Sequence, residues 1–278
     1  MPFARHGDVE IYYDTFGSPV DPALLLINGL GSQCINYRAE WCEKFAAEGF
    51  LVIRFDNRDV GLSTKFDDRD SEAAYSLSDM ADDALTVLNA LGVETAHVMG
   101  LSMGGMIVQQ LAIEHSERLM SLTSVMSTTG DRDVGQASPD ALELLLGPPA
   151  SDREGVIARY LQGIRTYGSP DCYDEARLRA MAGEAFDRSF CPGGQRRQMM
   201  AIMASPSRTA ALGSVRLPAL VMHGDQDRLV DISGGRRTAE AIPGAHFVVM
   251  EGMGHDYPPQ YWDRWVKLVA DHTRASTA

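Results

Sequence analysis

Cysteine, tryptophan and positive charge are all scarce in this chain of 278 residues. Its four cysteines, Cys34, Cys42, Cys172 and Cys191, show neither metal-ligand spacing nor the dense framework of a small secreted scaffold. Free buried thiols and a cytoplasmic location are the expectation. Lys and Arg number 25 against 38 Asp and Glu, a net charge of −13. That balance argues against nucleic acid, whose phosphates demand clustered cations, and its ordinary meaning is solubility. Long apolar runs are missing as well. The densest near the N-terminus, residues 23–27, is far too short to span a bilayer. Residues 1–10 lack the basic-then-apolar order of a signal peptide. No repeat or low-complexity tract stands out, and the pattern carries no signal of oligomeric state.

What is present suits one large α/β domain. Hydrophobic residues make up 45% of the chain, enough for a substantial core. Residues 9–13 alternate like an edge strand, while 23–28 and 51–56 read as buried strands. Between those two, a helix over 34–48 carries Trp41, Phe45 and Ala46 on one face. A helix over 78–91, capped by Ser78, leads to a strand at 97–101, a helix at 103–115 and a strand at 119–125. Such alternation predicts a mostly parallel central sheet with helices on both faces. From 126 to 217 the pattern breaks into short helical candidates at 139–146, 153–167, 173–186 and 195–204. Strand signal resumes at 217–222 and 246–250, with helices near 233–241 and 259–272. The expectation is a core of residues 1–125 and 218–278, with residues 126–217 inserted as a helical cap.

The sharpest local signal is Gly100-Leu101-Ser102-Met103-Gly104. The spacing alone would arise by chance in roughly one such chain in six. Its setting raises it, because the motif closes a buried strand and opens a helix. A serine there sits in a strained turn with its hydroxyl projecting above the sheet, and glycines two residues away on each side avoid collision.

A serine hydroxyl needs a base, and the base needs an orienting carboxylate. In an open parallel sheet such groups gather at the carboxyl ends of strands. Of seven histidines, His255 lies in a glycine loop beyond the 246–250 strand, and His223, at the end of the 217–222 strand, is its rival. Asp225 and Asp227 share the turn after that strand; Asp227 has more room to swing back over the sheet, and Asp131 is a distant third. The order Ser102, Asp227, His255 is that of a strand–elbow–helix hydrolase. A tetrahedral intermediate also needs two N–H donors. Met103 supplies one at a helix start, and Leu30, in Asn28-Gly29-Leu30-Gly31, is the candidate for the other.

Together these residues resemble the α/β-hydrolase superfamily over the whole chain. Asp56-Asn57-Arg58-Asp59-Val60-Gly61-Leu62-Ser63 is similar to the superfamily's Asp-x-Arg-x-x-Gly-x-Ser segment, which supports the site structurally. With Gly100-Leu101-Ser102-Met103-Gly104 it looks closest to the serine esterase branch that includes aclacinomycin methylesterase. Many relatives carry His-Gly where this chain has Asn28-Gly29. The resemblance implies Ser102, Asp227 and His255 as triad, Leu30 and Met103 as oxyanion hole, and residues near 126–217 as cap.

The resulting expectation is a carboxylesterase-type serine hydrolase that needs no cofactor or metal and takes a small-molecule ester. Asn28, Gly29, Tyr160, Ile164, Met199 and Met203 are candidate substrate contacts. The cap's Leu144–Leu146, Tyr167, Phe186, Phe190 and Met200 add further apolar lining. A hydrophobic ester of small to medium size fits, and the resemblance implies methyl esters of bulky acids. The same triad also runs C–C bond hydrolysis, perhydrolysis or acyl transfer, and a non-catalytic receptor is the remaining alternative.

Overall fold

The apolar runs of the sequence become strands of one eight-stranded sheet in the computed structural model, which describes residues 2–67 and 74–277. In chain order the elements are β1 (Phe3–His6), β2 (Val9–Phe16), β3 (Ala23–Ile27), α1 (Ala39–Ala47), β4 (Leu51–Phe55), α2 (Leu77–Ala90), β5 (Ala96–Leu101), α3 (Met103–Glu114) and β6 (Leu119–Val125). Then follow α4 (Pro139–Leu146), α5 (Arg153–Tyr167), α6 (Glu175–Arg188), α7 (Gly194–Ala204), α8 (Thr209–Leu212), β7 (Ala219–Gly224), α9 (Ile232–Ala241), β8 (His246–Met250) and α10 (Pro259–Thr277). The strand order is β1-β2-β4-β3-β5-β6-β7-β8. Strands β4 to β8 and β3 run parallel, and β1 and β2 are antiparallel additions at one side.

Alternation along the buried strands divides the core in two. Leu25, Ile27, Ile53, Phe55, Val98 and Leu122 face α2 and α3. Leu24, Leu26, Val52, Met99 and Leu101 face α1 and α10, where Trp41, Trp262 and Trp265 pack. The Trp41 and Trp262 rings stack at 5.5 Å and 2°. Because both faces are covered, β3 and β4 are continuous apolar runs apart from Arg54.

Three expectations need correction. Residues 9–13 do not form the edge: β1, too short to show a pattern, lies outside β2. The helix expected from residue 34 begins at Ala39, because Cys34 N–H is bound to the Asp56 carboxylate at 2.7 Å and the chain makes only a single tight turn there. Ser76, not Ser78, caps α2. Leu77 is buried and draws the helix one residue earlier, and Ser76 and Asp79 form a reciprocal capping box.

Between β6 and β7 the described chain holds α4 to α8 and no strand, and residues of α4 to α7 share a cavity with the loops after β3, β5 and β8. Ile157, Leu161 and Ala182 make a small core of their own between α5 and α6. The layer change comes before residue 217, since Leu212 and Val215 pack in the main core beside α3.

Candidate active site

Ser102 sits between β5 and α3 at φ 54° and ψ −116°, a conformation costly for any side chain bearing a Cβ. Its neighbours hold it there. Ser102 N–H donates to Val125 O at 2.9 Å, and Ser102 O accepts from the Ser127 hydroxyl at 2.8 Å. A Cβ at Gly100 would overlap the Gly104 carbonyl, and one at Gly104 would overlap the carbonyl of Ile27 at the end of β3. Gly100 thus serves the turn itself, and Gly104 the approach of α3 to the neighbouring strand.

His255 lies in the loop after β8, and its Nδ1 is 2.7 Å from Asp227 Oδ2. An ionised carboxylate only accepts, so Nδ1 carries the proton, and in the neutral ring Nε2 is an acceptor. Asp227 Oδ1 accepts from the N–H groups of Leu229 and Val230 at 2.9 and 2.8 Å. Burial alone would push the Asp227 carboxyl up, but His255 and His223 outweigh it and hold it down to about 2. His223 flanks the same carboxylate from the other side, with Nε2 2.8 Å from Val230 O and 3.3 Å from Asp227 Oδ2. It is fully buried and turned away from the cavity. Asp225 instead accepts from Gly252 N–H, and Asp131 pairs with Arg237.

Ser102, His255, Gly29 and Leu30 line one cavity of about 570 Å³. No hydrogen bond joins Ser102 to His255 among the described residues, a looseness common before substrate binds. Met103 opens α3, so its amide is among the unpaired donors of a helix N-terminus. Gly29 C=O accepts from Ser32 N–H at 3.2 Å, while the Leu30 amide has no acceptor among the described residues.

Tyr160, Ile164 and Met199 line the cavity, as do Leu145, Tyr167, Phe186 and Phe190. Two expected contacts fall outside it. Met203 is 75% exposed in the last turn of α7, one turn past Met199. Asn28 is wholly buried below the loop, its carbonyl accepting from Asn57 Nδ2 at 3.1 Å and its own amide without a partner. Leu144, Leu146 and Met200 also lie away from the cavity.

Residues between β6 and β7 that sequence reasoning missed hold the loop after β3 and the loop that carries His255. From α7, Arg197 donates to both oxygens of buried Asp59 at 2.9 and 2.8 Å. Gln198 Oε1 accepts from Gly31 N–H at 2.8 Å, and its Nε2 donates to Arg58 O at 2.8 Å. Arg188, which ends α6, reaches Asp56 at 2.8 Å, and Gln33 donates back to Ala185 O and Ser189 O. On the other side, His255 N–H donates to Tyr167 O at 2.6 Å, Gly254 N–H to Ser169 Oγ at 3.0 Å, and Ser169 N–H to Asp256 at 3.0 Å. Burial pushes the Asp256 carboxyl up despite the bonds from Ser169. The Asp56–Ser63 segment contributes too: Asp56 holds Cys34 N–H and Leu62 N–H, and Arg58 forms a buried two-point pair with Asp83 at 2.6 and 2.8 Å.

A family profile described as alpha/beta hydrolase fold matches residues 22–257. Rhodomycin D methylesterase DauP of Streptomyces sp. (strain C5) is 32% identical, over 97% of each chain. Rhodomycin D methylesterase DnrP of Streptomyces peucetius is 31% identical, also over 97% of each. Among solved structures, the enol-lactonase from Burkholderia xenovorans LB400 superimposes with a TM-score of 0.79 at 23% identity, covering 98% of this chain and 100% of that one.

Proposed function

Because this chain belongs to the alpha/beta hydrolase fold family, we propose that it cleaves carboxylic esters through an acyl-enzyme on Ser102. His255 Nε2 takes the Ser102 proton as the hydroxyl oxygen attacks the ester carbonyl, and Asp227 stabilises the imidazolium that forms. The N–H groups of Leu30 and Met103 receive the oxyanion, and the N-terminus of α3 adds its dipole. Collapse of the intermediate expels the alcohol, which takes the proton from His255. Water then attacks the acyl-enzyme with His255 again as base, and the carboxylic acid leaves. Protein groups and water supply every step.

The observation that carries this reading is the 2.7 Å contact of Asp227 with His255, whose ring shares a cavity with a serine held at positive φ. The cavity volume suits a drug-sized molecule, and its walls are largely aliphatic and aromatic. Similarity to two rhodomycin D methylesterases supports methyl esters of bulky hydrophobic acids as the substrate class. Ser102→Ala is expected to abolish turnover of p-nitrophenyl esters and labelling by a fluorophosphonate probe; survival of most activity would overturn the assignment. A panel varying acyl and alcohol size tests the substrate class, with preference for methyl esters of large acids as the expected result.

A further inference from the structure

We infer that Gln198, carried by the cap, is a positioning residue for the oxyanion loop. This rests on the reading of Leu30 as an oxyanion donor. The loop after β3 is fixed by bonds on either side of Leu30. On one side, Gly29 C=O accepts from Ser32 N–H at 3.2 Å. The N–H of a trans peptide points opposite to its C=O, so the Leu30 amide is turned out of that small turn. On the other side, the Leu30–Gly31 peptide is held by Gly31 N–H donating to Gln198 Oε1 at 2.8 Å. Two peptide planes joined at the Leu30 Cα are therefore each pinned, and the Leu30 amide, which belongs to the first, has one direction left.

Gln198 is built for this task and for little else. It is fully buried, and it does not line the cavity. Its carbonyl is committed to Gly31 and its amide to Arg58 O at 2.8 Å, so it bridges the oxyanion loop to the loop after β4. Gly31 is at φ +69°, a conformation that favours glycine, and the Gln195 side chain lies against it. Gln195 and Gln198 are one helical turn apart, so one face of α7 both covers and bonds the loop. Arg197, beside Gln198, locks that helix onto Asp59.

The test compares Gln198→Met, which keeps length and volume but removes both bonds, with Gln198→Glu, which keeps the acceptor for Gly31. Two ligands are used besides an ester substrate: an aryl-alkyl trifluoromethyl ketone and the corresponding secondary alcohol. Ser102 adds to the ketone carbon, its proton passes to His255, and the carbonyl oxygen becomes an oxyanion in the hole. The alcohol fills the same cavity with no oxyanion. For Q198M, kcat is expected to fall ~10- to 100-fold, less than for outright loss of a donor. KM should stay within about threefold, since binding in the ground state makes no use of the hole. Ketone affinity should fall with kcat while alcohol affinity holds, and Q198E should recover most of the loss.

An unchanged kcat and ketone affinity in Q198M, or equal weakening of ketone and alcohol, overturns the inference. Should Q198M fail to fold, Gln198→Asn draws the carbonyl back by about one bond length, roughly 1.5 Å, and should show the same split on a smaller scale. A wild-type protein that takes no fluorophosphonate label at Ser102 sinks the esterase reading and this inference with it. A labelled wild type with an indifferent Q198M sinks this inference alone.

Discussion

Asp227 does two jobs with one carboxylate. One oxygen accepts two backbone N–H groups and shapes the turn after β7; the other orients His255. Asp227→Asn keeps the shape but loses the acceptor that sets the imidazole tautomer, so kcat should drop by ~10⁴ in steady-state assays. The same residue links stability to pH. Its folded-state carboxyl lies at about 2, against about 3.9 for an exposed aspartate, so the unfolded chain takes up the proton first as pH falls. This share of stability is complete above about pH 4 and is lost by about pH 2. Denaturation profiles from pH 5 to 2 should therefore steepen toward acid in the wild type more than in D227N.

Asp227 was separable from Asp225 in the sequence only by reach, three residues past Gly224 rather than one. The structure gives that distance a reason, because Asp225 is used to close the loop around Gly252. His223 and His255 look alike as strand-end histidines. Burial behind the carboxylate, which no local pattern reveals, is what separates them.

At the scale of elements, α2 shows how a helix far from the cavity supports it. Its Asp83 pairs with Arg58, and the Asp79 carbonyl accepts from the same guanidinium at 3.0 Å. The capping box at Ser76 starts that helix. Ser76→Ala should cost about 1 kcal/mol in urea unfolding, with ester turnover little changed, because the Asp83 pair survives. Strands β3 and β4 are legible because both faces of the sheet are covered, which makes them near-continuous apolar runs. Helix starts are less so. Both Ser76 and Ser78 have the chemistry of a cap, and the burial of Leu77 decides between them.

For the molecule as a whole, the sequence concealed how the helices between β6 and β7 are tied to the rest of the chain. Arg197 and Gln198 lie in a stretch that reads only as a short helical candidate, yet both are buried against partners about 140 residues away. Ser102, His255 and Asp227 sit in loops next to strands, and strand ends can be read locally. Residues that meet only through the fold leave no such trace. Arg197→Met should strand the Asp59 charge in the interior and cost ~3–5 kcal/mol, seen as a lowered urea midpoint. An unchanged midpoint would show that Tyr75 and the Phe66 amide, which also bind Asp59, suffice without the cation.

The ties from Tyr167 and Ser169 to the His255 loop, and from Gln198 to Gly31, bear on how this enzyme can be re-engineered. Caps are tempting modules for transplantation, since they carry the walls that select a substrate. Here the same graft would exchange the supports of the His255 loop and of the loop after β3. A chimera would inherit a new rate along with a new preference, unless the donor brought equivalents of Ser169 and Gln198.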